Sequence, residues 1–239
     1  MTNKLKIAMA VGLIALAVAL FLVSPFFAVG EVIISGYYRV SHDEIYEHLN
    51  ISPSTNIFFF RRNSAIERIK SNLYIQDVEI RRALPRHVYV DVRERNLAAY
   101  IEHMPNSFLF LDENGRVIDI SSTITEPFPV VRGLHFTRFR LGELLEVPDP
   151  TAFSAVVRYT QILTYHELID RISFIDVSDT SNIRILIYNL EFNVGTVHNA
   201  DEKIRTLIAQ IEAFPNSYRV SANIDLRVIR HEYFWWIIE

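Results

Sequence analysis

The sequence predicts an α+β protein held to a membrane by a single N-terminal helix, and three stretches carry that prediction. Residues Ile7 to Val29 are apolar apart from Ser24 and Pro25 and contain no charge. Residues Val78 to Arg95 alternate apolar and charged side chains on both sides of Pro85, the period-two pattern of half-buried strands. From Ala98 onward, short apolar alternations recur between two helix-like segments. The expected architecture is a transmembrane helix, then a small β-α-α-β-β module packed end-on with a larger mixed, mostly antiparallel β domain flanked by helices.

The first run would extend roughly 34 Å as a helix, against about 30 Å for a bilayer core. A cleaved signal peptide has a shorter apolar region followed by small residues, and Phe26-Phe27-Ala28 is a poor cleavage site. An uncleaved anchor over 7–29 is therefore expected. Lys4 and Lys6 precede it and Glu31 follows it, which keeps residues 1–6 cytoplasmic and places the bulk of the chain outside the cytoplasmic membrane.

Composition narrows the function. A net charge of −4 gives no bulk attraction to nucleic acid. The absence of cysteine removes thiolate nucleophiles, thiolate metal sites and disulfides. No Gly-rich phosphate loop, His-Glu-x-x-His, Gly-x-Ser-x-Gly or Ser-x-x-Lys is present, and the histidines lack the i, i+4 pairing of a helical metal site. No catalytic residue, metal or cofactor is assigned. Carboxylates that meet only in the fold leave a glycosidase-like pair formally open.

The first module is expected over 30–97. Glu31 to Ser35 reads as a strand ended by Gly36. Ser41-His42-Asp43-Glu44 forms a capping box ahead of a helix with Ile45 and Leu49 on one face. Asn56 to Phe60 reads as an extended connector. Ser64-Ala65-Ile66-Glu67 repeats the capping box, and Ile66, Ile69 and Leu73 follow at helical spacing. The strands around Leu84-Pro85-Arg86 close the module. Arg61, Arg62, Arg81 and Arg82 make it locally basic. Nearby acidic residues balance them, so a solvated face is expected first and a recruitment surface second.

The second domain is expected over 98–239. Phe108 to Leu111 and Arg116 to Ile118 flank Asp112-Glu113-Asn114-Gly115, a hairpin turn rather than a calcium loop, which would need further carboxylates. Phe128 to Gly133 is another extended piece. A helix of about 15 residues follows Pro150, then three strands near Ile172–Val177, Ile183–Ile187 and Glu191–Val194, a helix at about Asp201–Phe214 and a final extended stretch Ser221–Ile238.

That final stretch holds the candidate site. His231 to Ile238 is the most aromatic segment and contains both tryptophans. Tyr233, Phe234, Trp235 and Trp236 are consecutive, so one or two must face away from any single core face. A last strand at a sheet edge offers unpaired N–H and C=O groups to an extended partner, and Tyr and Trp anchor interfaces. Arg227, Val228, Arg230, Glu232, Tyr233, Phe234, Trp235 and Trp236 are the expected partner-binding residues. Core filling or membrane contact by the aromatics are the alternatives.

Taken in order, several segments resemble a known family. They are Ile33-Ile34-Ser35-Gly36, Ile57-Phe58, Val78 to Pro85 running into Glu94-Arg95, Leu111 to Val117, Pro129 to Gly133 and Ile224-Asp225-Leu226-Arg227. Together they look like FtsQ/DivIB, the bitopic bacterial cell-division proteins. The resemblance implies a POTRA domain (polypeptide-transport-associated), a family-type β domain and no catalysis. It also implies binding to FtsB/DivIC and FtsL, two other bitopic division proteins, through the C-terminal edge of the β domain. Assembly and regulation of septal peptidoglycan synthesis at the division septum would follow. One alternative is a POTRA-type chaperone or docking protein of a secretion or outer-membrane assembly system, although the region after the first module is too short and charged for a membrane barrel. A membrane-anchored cell-wall hydrolase is the remote one.

Overall fold

The structure is a computed structural model that describes residues 3–213 and 221–227. It divides into two compact units, 1–95 and 96–239.

The first unit opens with α1 (Asn3–Leu22), whose stretch Lys4–Leu22 is long and apolar enough to cross a membrane and is wholly unburied by protein. Its 19 residues span about 28 Å. The helix stops short of Val29, the end of the apolar run. Ser24-Pro25 diverts the chain into a short 3-10 turn, Pro25–Phe27, and Phe27 and Val29 join the core of the domain that follows. The last residues of the apolar run are therefore domain core, not helix.

Three strands form the sheet of this unit: β1 (Glu31–Ser35), β2 (Ile75–Ala83) and β3 (His87–Glu94), in the order β1-β3-β2. β3 lies parallel to β1 and antiparallel to β2. Two helices, α2 (His42–Leu49) and α3 (Arg62–Lys70), supply Ile45, Leu49, Ala65 and Ile69 to a core shared with Val78, Ile80, Val88, Val90 and Val92. The sequence alternation follows from this arrangement, because the helices cover one face of the sheet and the charged positions line the other.

Local details depart from expectation in three places. Ser41 Oγ accepts from the Glu44 N–H at 3.2 Å as a cap should, but the Glu44 carboxylate accepts from Asn72 Nδ2 at 2.6 Å. It thus ties α2 to the end of α3 instead of closing a capping box. Ser64 is not a cap: α3 begins at Arg62, and the Ala65 N–H already donates to the Arg61 carbonyl at 3.1 Å. The connector Asn56–Phe60 is a turn rather than extended chain. Asn56 organises it by accepting the Phe58 N–H on its side chain and those of Phe59 and Phe60 on its carbonyl, all at 2.9 to 3.0 Å.

The second unit is built on one mixed sheet. Its strands are β4 (Leu97–Met104), β5 (Ser107–Asp112), β6 (Val117–Ser121), β7 (Val130–Arg132), β8 (Ile172–Asp176), β9 (Ile183–Ile187), β10 (Leu190–Gly195) and β11 (Ala222–Asp225). Their order is β11-β10-β9-β8-β7-β4-β5-β6. Short β7 joins the two halves, parallel to both β4 and β8.

Two helices, α4 (Pro150–Tyr165) and α5 (Ala200–Ala213), contribute Val156, Tyr159, Leu163, Ile204 and Leu207 to the core against Ile183, Ile185 and Phe192. Asp149 caps α4, accepting from the Thr151 and Ala152 N–H groups, and Pro150 sits where a missing N–H costs nothing. β4 escaped the sequence reading because Leu97 to Ile101 are all buried, so no alternation marks them. One side carries Tyr100, stacked edge-on against Phe110 at 4.5 Å, and the other feeds the main core through Ala99 and Ile101. At the hairpin turn the Asp112 carboxylate accepts the Asn114 and Arg116 N–H groups, and Gly115 takes φ +80°.

Candidate partner-binding edge

β11 is the terminal strand of the sheet among the described residues. It pairs with β10 in parallel, Leu190 opposite Ala222 and Asn193 opposite Asp225. Ala222, Ile224 and Leu226 are buried in the core, while Asn223, Asp225 and Arg227 are exposed. The Ala222 N–H donates to the Asn189 carbonyl at 3.4 Å and that of Leu226 to Asn193 at 2.8 Å. In a parallel ladder alternate residues bond to the same neighbour, so the N–H groups of Asn223 and Asp225 point away from β10. This is the geometry that strand addition requires.

A polar latch fixes the end of the strand. Arg227 donates from Nε to Asp225 Oδ1 at 3.0 Å, from Nη2 to Asp225 Oδ2 at 2.7 Å and from Nη1 to Asn182 Oδ1 at 3.2 Å. The Arg227 hydrogen bond holds the Asp225 carboxyl below its ordinary range despite partial burial. Asn182 is itself oriented by Asp179, which accepts its Nδ2 at 2.6 Å. A second row crosses three strands on the same sheet: Arg184 on β9 donates to Asp176 on β8 at 2.6 Å and to Glu191 on β10 at 3.1 Å. The β8–β11 half is thereby locked in register from both its apolar core and its charged rows.

Of the expected partner-binding residues, Arg227 stands at this edge. Val228, Arg230, Glu232, Tyr233, Phe234, Trp235 and Trp236 lie outside the described residues. Asn223, Asn182 and Asp225 were not singled out from sequence. The spacing Asp225-x-Arg227, which puts both side chains on one strand face, is the signal that could have found the latch.

The four arginines of the first unit do not form one surface. Arg81 lies on the open face of the sheet, paired with Asp91 and, at 3.6 Å, with Glu79. Arg82 donates to the Phe60 carbonyl at 2.6 Å on the helix side, near where exposed Arg61 and Arg62 open α3. The open face continues with the Lys70–Asp77 ion pair at 2.8 Å and with the His87 ring 3.4 Å from the Glu31 carboxylate. Its balance of charges is that of a solvated face. Among the described residues no group of three or more His, Asp or Glu is placed to hold a metal.

A β-α-α-β-β unit with a central strand parallel to the first, followed by a mixed sheet, defines a POTRA-bearing protein. A family model described as "POTRA domain, FtsQ-type" matches residues 27–95. Cell division protein DivIB of Clostridium botulinum is 25% identical over 197 residues, covering 82% of this chain and 77% of that protein. DivIB of Clostridium tetani is 27% identical over 199 residues, covering 80% and 72%. Cell division protein FtsQ of Rickettsia bellii is 33% identical over 103 residues, covering 43% and 37%. Residues 27–95 thus match an FtsQ-type POTRA domain, and about four fifths of the chain is similar to DivIB cell division proteins.

Proposed function

We propose that this protein is a non-catalytic scaffold of the division machinery, anchored in the cytoplasmic membrane by α1 and concentrated at the septum with its bulk outside the cytoplasm. It binds FtsB/DivIC-like and FtsL-like bitopic division proteins, chiefly by accepting a strand along β11, and so regulates septal peptidoglycan synthesis. Arg227 and the segment Val228 to Trp236 flank that edge in sequence and supply the side-chain contacts.

The observation that carries this reading is the outward direction of the Asn223 and Asp225 N–H groups on a terminal strand whose other face is fixed in the core. Shared confinement in one membrane raises the effective concentration of the partners and lets a short, weak ladder suffice.

The test is a pull-down of the partners' extracytoplasmic segments by the full chain and two variants. Asn223→Pro removes an outward donor while leaving the β10 ladder intact; Asn223→Ala controls for the side chain. Capture by wild type and Asn223→Ala, with at least a tenfold loss for a folded Asn223→Pro, is the expected result. Full capture by Asn223→Pro would place the interface elsewhere.

A further inference from the structure

The junction between α1 and the POTRA domain is fastened, not hinged. A helix end leaves carbonyls without intrahelical partners, and here Asn56 Nδ2 donates to the Leu22 carbonyl at 2.8 Å. The backbone adds two more ties, Val29 N–H to the Thr55 carbonyl and Ile57 N–H to the Phe27 carbonyl, both at 2.8 Å, and the Arg86 side chain a third, from Nε to the Ala28 carbonyl at 3.1 Å. Phe27 packs against Phe21, Phe26 and Phe58 with ring centroids 4.9 to 5.2 Å away. The Asn56–Phe60 turn and the β2–β3 turn at Leu84-Pro85-Arg86 are thereby brought to the end of the helix.

Three large apolar side chains stand in the open at this place. Phe26 is 55% exposed, Phe59 67% and Leu84 59%. Exposed Arg61 and Arg62 follow Phe59 by two and three positions, and Arg86 follows Leu84 by two. Apolar and aromatic side chains rimmed by arginine match the membrane–water interface, where rings sit at headgroup level and guanidinium groups reach phosphate.

We propose that this end of the domain is a membrane seat, in which Phe26, Phe59 and Leu84 enter the interfacial layer of the bilayer and Arg61, Arg62 and Arg86 lie among lipid phosphates. The proposal rests on the reading of α1 as a membrane span. Its occupant is lipid because the patch is held by hydrogen bonds at the residue where the apolar helix ends, the depth at which the hydrocarbon gives way to headgroups. The seat sets the POTRA domain in a fixed orientation on the membrane rather than leaving it to swing on a linker.

The chain has no cysteine, so a single nitroxide can be placed anywhere on it. Full-length Leu13→Cys, Phe59→Cys, Leu84→Cys and Tyr38→Cys variants are labelled and reconstituted into vesicles of phosphatidylethanolamine and phosphatidylglycerol. Collision with oxygen and with a water-soluble nickel chelate then reports the surroundings of each label. Position 38 is 87% exposed and follows the five-residue β1, which runs about 16 Å from the junction. Labels at 13, 59 and 84 are expected to favour oxygen, and the label at 38 to favour nickel. A label at 59 as open to nickel as that at 38, with 13 in lipid, overturns the seat alone. Labels at 59 and 38 both in lipid overturn it too, since the domain would then lie on its side. A label at 13 in water overturns the span and the seat together.

Discussion

Glu94 at the end of β3 accepts the Tyr38 N–H on Oε1 at 2.7 Å, across 56 residues of sequence. The same carboxylate takes the N–H groups of Arg39 at 2.9 Å and Val40 at 3.0 Å, so one side chain organises the whole turn between β1 and α2. Beside it Arg95 donates to the Leu73 carbonyl at 3.1 Å. The Glu-Arg pair that closes the module in sequence is thus a structural clasp at both ends of the helical layer. Hydrogen bonds to a charged acceptor are each worth about 1.5–3 kcal/mol, and losing the acceptor leaves three donors to water. Glu94→Ala should lower stability by about 2–4 kcal/mol and Glu94→Gln by less, as read by urea denaturation of the detergent-solubilised chain. Equal stability of Glu94→Ala and wild type would show that the turn holds without its clasp.

Two glycines of the sequence pattern have no room for a side chain. Gly36 ends β1 at φ +81°, and a Cβ there would lie 2.0 Å from the Val92 carbonyl oxygen. Gly133 follows β7 at φ +75°, with a Cβ 2.1 Å from Ser178 Oγ. Backbone blocks both sites: the Val92 carbonyl of the central strand at Gly36, and at Gly133 the Ser178 nitrogen and Cα, 2.4 and 2.5 Å away. Gly36→Ala and Gly133→Ala should therefore each cost more than about 1 kcal/mol, by thermal unfolding followed by circular dichroism. Wild-type stability of either variant would mean that the backbone opposite that glycine yields.

Where one face of an element is buried and the other wet, the sequence showed it. β2 and β3 alternate because helices cover only one face of their sheet, and α4 announces itself by Asp149-Pro150 and its apolar spacing. Where both faces are buried, as in β4 from Leu97 to Ile101, periodicity vanishes and the strand is invisible. The end of α1 was hidden for a related reason. Phe27 and Val29 are as apolar as a membrane span, and only the folded domain assigns them to its core. Ser64 and Glu67 carry the letters of a capping box, but the Asn56 turn starts α3 earlier. At β11, the latch between Asp225 and Arg227 stays hidden until Asn182 is brought beside them by the β8–β9 turn.

That β8–β9 turn should confer acid sensitivity. Asp179 accepts the Ser181 hydroxyl at 2.6 Å, Asn182 Nδ2 at 2.6 Å and the Ser181 N–H at 2.9 Å, which hold its carboxyl down at about 2 from an ordinary 3.8. Asp176 nearby is also held low: burial pushes it upward, but Ser178 and Arg184 outweigh that. A carboxyl depressed in the fold adds stability above its unfolded value and loses it as pH falls through its folded one. Wild type should thus lose melting temperature between about pH 4 and 2. Asp179→Asn should start lower at pH 7 and lose less across that interval. Parallel pH profiles for the two would remove Asp179 from the account of acid unfolding.

The proposed scaffold makes a separate prediction for α1, which as a membrane span would supply concentration rather than contacts. β11, its latch to Asn182 and the core beneath belong to the second unit, and the hydrogen bonds that shape them involve no residue of α1. A secreted form lacking residues 1–22 should therefore keep its intrinsic affinity for a partner segment in solution, measured by titration calorimetry. If partners add a strand along the four residues of β11, the same form should fail to support division, because it would lose the millimolar effective concentration that two molecules gain when held in one membrane. Replacing α1 with an unrelated apolar helix should restore division if tethering is all that α1 provides. Partial restoration, with the label at position 59 moved into water, would divide the role of α1 between confinement and the fixed posture that Asn56 gives the POTRA domain. Division by the secreted form at ordinary expression levels would rule out tethering as the source of affinity.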